Sequence, residues 1–104
     1  MTWQPIPQWQ CLLAPRWGRK AATWADYNDW PNGLVEAAYK NWLAGTAPAE
    51  LVFEDADLGM NHTVNFRMML QTNRVTLSAR PIRRVIVFVF VPVSPAFLGA
   101  RQAP

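Results

Sequence analysis

The chain has 104 residues, 51% of them hydrophobic and only 16% charged, which fits one folded domain with one core and excludes wholesale disorder. A single cysteine, Cys11, and a single histidine, His62, exclude an internal disulfide and leave a four-ligand metal site without its sulfur and nitrogen ligands. Net charge is a modest +3, yet residues 1–57 hold all seven acids while residues 58–104 hold six arginines with no acid or lysine, so that half offers positive potential to an anion.

Arginine throughout favours bidentate contact with phosphate or carboxylate; on charge alone, a solvated basic edge that keeps strands apart fits equally well. The opening MTWQPIPQWQ has neither the basic nor the apolar region of a secretory signal. The longest apolar run, residues 85–91, falls far short of the ~20 residues that span a bilayer. The expectation is an intracellular protein, nuclear or cytoplasmic, without a membrane partner. Six tryptophans are many for this length: some build the core, and the surplus can line a pocket.

In chain order, residues 1–8 read as an extension, 9–14 as a first strand, 15–20 as a turn rich in breakers and bases, and 23–27 as the returning strand. Residues 28–33, NDWPNG, read as a loop leading to a helix capped by Asn32 or Gly33. The helix itself is predicted over 34–44, with Leu34, Val35, Ala38, Tyr39, Trp42 and Leu43 on one face and Gly45 as its stop. Residues 51–54 read as a strand, and 57–61 as a turn. Residues 62–70 alternate Val64, Phe66, Met68 and Leu70 inward, a strand with one buried face. Residues 75–78 and then 80–91 complete the sheet. Because VIVFVFV has no polar alternation, both of its faces are expected to be covered; residues 92–104 read as a tail. The predicted fold class is α+β: one helix packed across a strongly bent antiparallel sheet of five or six strands. Trp9, Tyr27, Tyr39 and Trp42 are assigned to the core.

An enzyme reading lacks parts. There is no nucleophile motif, no Ser/His/Asp set and no phosphate-binding glycine loop. Glu54, Asp55 and Asp57 read as a solvated turn, and His62 has no orienting partner in sequence. No catalytic residue, metal or cofactor is expected.

The order of residues from Trp9 onward resembles the WWE domain. An early tryptophan (Trp9) is followed by Trp24 and, three residues later, Tyr27. A helical Leu34-Val35-Glu36-Ala37-Ala38-Tyr39 comes next, in which Glu36 corresponds to the name-giving glutamate. The most specific part is Val64-Asn65-Phe66, Met69, Gln71 and Asn73, then Arg80-Pro81-Ile82-Arg83-Arg84. The likeness covers roughly residues 9–85 and defines a WWE-like domain over 9–91. It implies a half-barrel with one helix across it, and binding of poly(ADP-ribose) through its iso-ADP-ribose unit. Such domains commonly sit in ubiquitin ligases and ADP-ribosyltransferases.

By resemblance, Gln71 takes the adenine- or ribose-facing role, Arg80 the phosphate role, and Trp24 lines the pocket beside the base. A carboxamide can donate and accept at once, and arginine holds phosphate by its fork. His62 stands where binding members carry a tyrosine; an imidazole can stack, donate a hydrogen bond and become cationic below pH ~6.5. Asn65 replaces the usual aspartate, and Cys11 stands where an aromatic is common. Trp17 and Lys20, in a longer first loop, can supply an aromatic and a phosphate contact. The rival reading is a protein-interaction module of a ubiquitin-ligase or ADP-ribosylation system that has lost the ligand, with acidic protein partners and strand addition at an exposed edge. Single-stranded nucleic acid ranks third, and specific DNA binding is not expected.

Overall fold

A computed structural model describes residues 1–15, 21–55, 57 and 59–92, with the backbone alone of Asp55. Trp17 and Lys20, and the loop that carries them, lie outside the described residues. Six antiparallel strands and one helix follow in chain order: β1 (Thr2–Leu13), β2 (Thr23–Asp26), α1 (Asp29–Leu43), β3 (Glu50–Asp55), β4 (Met60–Asn65), β5 (Leu70–Asn73) and β6 (Ala79–Val91). They form one open sheet in the order β2-β1-β6-β5-β4-β3, and α1 packs across its inner face. This is the predicted α+β half-barrel. No helix among the described residues is long and apolar enough to cross a membrane.

The core lies between α1 and the sheet. Trp9, Val35 and Val64 are fully buried, with Phe53, Phe66, Ile82 and Cys11 around them. Each such large side chain contributes about 1.5–3 kcal/mol by leaving water. Trp9 meets Tyr39 edge-on at 5.1 Å between centroids, and Phe66 stacks on Trp42 at 5.9 Å. Trp9 is also tied by its polar edge: Nε1 donates to Glu36 Oε1 at 3.0 Å. Arg84 grips the same carboxylate with Nε at 2.7 Å and Nη2 at 2.8 Å. Glu36 thus joins β1, α1 and β6 at one point, and these donors hold its carboxyl below the usual carboxylate range, the Arg84 hydrogen bond first.

The structure departs from the sequence reading in six places. The helix begins at Asp29, five residues early, because Pro31 falls in the first turn, where a missing N–H costs nothing. Asn32 is therefore not a cap. Its side chain instead continues the sheet: Oδ1 accepts from Trp9 N at 2.7 Å, and Nδ2 donates to Pro7 O at 3.0 Å. Leu43 is exposed, and the buried face is completed by Pro31 and Glu36. The strand predicted over 62–70 is two strands joined by residues 66–69, so Met68 points to solvent. Residues 75–78 are turn and coil, not strand.

Both of the last two differences have one cause. Asn65 Oδ1 accepts from the N–H groups of Arg67 and Met68, and Asn73 Oδ1 from those of Val75 and Thr76. Each asparagine closes a turn that ends in a left-handed residue, Met69 (φ 52°) and Leu77 (φ 63°). An aspartate at 65 would accept the same two bonds, so the Asn65 departure preserves the turn. The fifth departure concerns residues 85–91. Ile86 to Phe90 are exposed among the described residues, where coverage on both faces is predicted. The sixth is their partner: residues 2–8, read as an extension, form the strand paired with them.

Candidate functional site

Beyond the first turn of α1, the half-barrel opens into a cavity of about 430 Å³, within the 300–1,000 Å³ common for small-molecule sites. Cys11 and Leu13 of β1 form one wall, and Ala25 and Asp26 of β2 with Tyr27 form the next. Trp30 and Pro31 of α1 close a third side. Phe53, Met60, His62, Gln71 and Arg80 supply the floor from β3 to β6. A second, more polar hollow of about 350 Å³ adjoins it, lined by His62, Gln71, Asn73, Thr76, Ser78 and Arg80. The two share His62, Gln71 and Arg80, so an apolar chamber and a polar annex meet at those three side chains.

Strand register brings the trio together. Gln71 and Arg80 are direct partners across β5 and β6, and His62 pairs with Asn73 across β4 and β5. Side chains so placed lie within reach of one another. The Tyr27 hydroxyl donates to Gln71 Oε1. Burial, then the nearby Cys11, pushes the Tyr27 hydroxyl well above its ordinary value, so it stays protonated and remains a donor. The Gln71 oxygen thus already accepts one hydrogen bond, while its Nε2 hydrogens have no protein acceptor among the described residues. His62 stacks on Phe53 at 5.6 Å, and its Nδ1 is shut off from solvent with no hydrogen-bond partner. Burial, then the Arg80 charge, holds His62 below the ordinary histidine value, so it is neutral at pH 7 rather than cationic. Burial also raises the Cys11 thiol, which Arg80 partly opposes; it lines the wall as a small apolar group.

The arginines are less free than their sequence neighbours imply. Arg84 is held by Glu36, Arg74 pairs with Glu54, and Arg83 Nε donates to Gln10 Oε1 at 2.7 Å. Among the described residues Arg80 has no ion pair and no side-chain hydrogen bond, and it is the one arginine on the cavity. Trp24, expected beside the base, is not among the lining residues. Strand alternation turns Ala25 toward the cavity and Trp24 away from it, under the Arg83 guanidinium at 4.2 Å. Trp30 and Tyr27 supply the aromatic wall instead. Residues 28–33 look like a loop in sequence, and apart from Pro31, which a first helical turn tolerates, nothing there marks Trp30 as a cavity residue. Phe53 and Met60 carry no such mark either.

An open half-barrel with an aromatic, partly polar cavity lined by one unpaired arginine defines a small binding module. Residues 8–84 match the family model for the WWE domain, which is most of the chain, and the chain belongs to the WWE family. Domains of this family are interaction modules, often found in ubiquitin and ADP-ribosylation systems. No curated protein matches the chain at a significant level.

Proposed function

We propose that the cavity binds poly(ADP-ribose) through its iso-ADP-ribose unit. The observation that carries this reading is the Gln71 carboxamide, whose oxygen accepts from Tyr27 and whose Nε2 has no protein acceptor among the described residues, on the lining that the chamber and the annex share with Arg80 and His62. Adenine has the matching parts: a π-face for Trp30, and ring nitrogens that accept from Gln71 Nε2. The polar annex suits what adenine is attached to. Arg80 fits a phosphate, and the hydroxyls of Thr76 and Ser78 with neutral His62 fit ribose hydroxyls. Such a reader works in the nucleus or cytoplasm as the recognition part of an ADP-ribosylation or ubiquitin system.

The test is calorimetry with iso-ADP-ribose beside plain ADP-ribose. Selective binding to the iso form is expected. Arg80→Ala and the near-isosteric Gln71→Glu should abolish it, the latter because a carboxylate has no donor to offer. Trp30→Ala should cost about 1–3 kcal/mol, the scale of a lost stacking platform, while Trp24→Ala leaves affinity unchanged. No heat with either ligand, from a folded chain, would overturn the reading and leave a protein-interaction module.

A further inference from the structure

The family match ends at residue 84, but strands β1 and β6 do not. They run on as a two-stranded ribbon in which residues 2–8 pair with residues 85–91. The ribbon's inner face continues the one that carries Trp9 and Ile82 in the core. Trp3, Ile86, Phe88 and Phe90 stand on it, with Trp3 65% and Phe88 62% exposed. Trp3 and Phe90 touch each other, at 4.9 Å between centroids.

The two edges of the ribbon differ in kind. Ile82 N donates to Met69 O, toward β5, and Trp9 O accepts from Tyr27 N, on the β2 side. Main-chain groups alternate in direction along a strand. Even-numbered residues of β6 and odd-numbered residues of β1 therefore point away from their shared ladder. On the β1 side those positions are Trp3, Pro5 and Pro7: the prolines have no N–H, and the Pro7 carbonyl is already taken by Asn32. On the β6 side, pairing with β5 stops at Pro81. From there Arg84, Ile86, Phe88 and Phe90 turn both N–H and C=O to an edge that no described strand covers.

We propose that this open edge pairs antiparallel with the same edge of a second copy, making a two-fold dimer across residues 84–92. The charge pattern selects that occupant. Residues 85–91 carry no charge, so nothing on the edge attracts a charged partner, and Arg83 and Arg84 lie together at one end. Antiparallel pairing about Phe88 sends the two arginine pairs to opposite ends of the interface; parallel pairing would set like charges side by side. In this register Phe88 faces Phe88 of the second copy, Ile86 faces Phe90, and Arg84 faces Pro92, whose carbonyl still accepts. Every facing pair between the ends is apolar. Because both copies use one and the same surface, the contact closes on itself. The proline edge of β1 stops the four-stranded sheet from growing further.

Sedimentation velocity from micromolar to millimolar concentration, with amide hydrogen exchange on the same samples, tests the pairing. The full chain should pass from 11.8 kDa to twice that mass as concentration rises. In the dimer the amides of Ile86, Phe88 and Phe90 should slow strongly relative to the dilute chain. Phe88→Pro should stay monomeric and folded, since it removes an outward N–H and no bond to β1. Trp3→Lys, on the far strand, should still dimerise. A chain that stays monomeric throughout overturns the proposal. So does a dimer whose Ile86, Phe88 and Phe90 amides exchange freely, which would mean contact by faces. Protection of those amides in a monomer would assign the edge to a segment of the same chain and also overturn it, as would unlimited growth in size.

Discussion

Glu36, which answers to the family's name-giving glutamate, lies away from the candidate cavity and works in the core. The carboxylate sits away from the cavity, buried between the Trp9 indole and the Arg84 fork. Glu36→Ala strands a partly buried guanidinium and an indole N–H; the expected cost is about 3 kcal/mol of stability, the scale for breaking a buried pair from one side. Titration offers a second measurement. Folding depresses the Glu36 pKa, so its contribution is complete above the ordinary carboxylate value of about 4.3 and is lost as pH falls from there through the folded value. Folding also depresses His62, by burial and then by Arg80, so stability should begin to fall already below about pH 6.5. Denaturant midpoints across pH should therefore be flat near neutrality and fall in two stages on the acid side. His62→Gln should remove the first stage and Glu36→Gln the second. A curve unchanged by either substitution would show that other groups govern acid stability.

At the scale of elements, the two asparagine-closed turns make a paired prediction. Leu77 holds a left-handed backbone while three-quarters exposed, so Leu77→Gly should stabilise the fold by about 1 kcal/mol, the steric cost of that conformation for a side chain. Met69 holds the same conformation but packs against the core. Met69→Gly should gain nothing or lose stability, because the relief is offset by lost burial; thermal melts of the two variants would separate the effects. These residues also mark what the sequence could not convey. Glycine announces a left-handed turn, as Gly45 does at the end of α1 with φ 76°, whereas methionine and leucine do not. An alternating run across Phe66 and Met68 therefore reads as one strand. Most of the helix face and the α+β class were legible because burial imposes its period on many residues at once; the strand count agrees only because the missing strand at 75–78 offsets the division of 62–70 into two. Of the site, the register that sets Gln71 opposite Arg80 could be anticipated from the motif around them. The exchange of Trp24 for Trp30 could not, since it turns on which side of β2 faces inward and on a helix that starts one turn early.

For the molecule as a whole, the placement of charge gives a test that separates the proposed ligand from a single-stranded nucleic acid. Read linearly, residues 58–104 are a cationic half-chain. Folding brings Glu36 to Arg84 and Glu54 to Arg74, and lays Arg83 on Trp24. Among the described residues that leaves Arg80, at the cavity, and Arg67, in the turn after β4, without an ion pair or ring contact. A strand of nucleic acid would need a track of free cations, and its affinity would fall with salt at roughly 0.7 in log K per phosphate neutralised for each unit of log salt. A ligand held by one arginine, a carboxamide and an aromatic wall should show a slope corresponding to about one phosphate contact. Calorimetric titrations of iso-ADP-ribose at several salt concentrations should give that shallow slope, with Arg74→Ala and Arg83→Ala leaving it unchanged. Oligonucleotides should bind weakly at physiological salt. A steep slope that flattens stepwise as Arg74, Arg83 and Arg67 are replaced would instead mean that the outer face of the sheet binds a polyanion along its length. The cavity would then be only one contact among several.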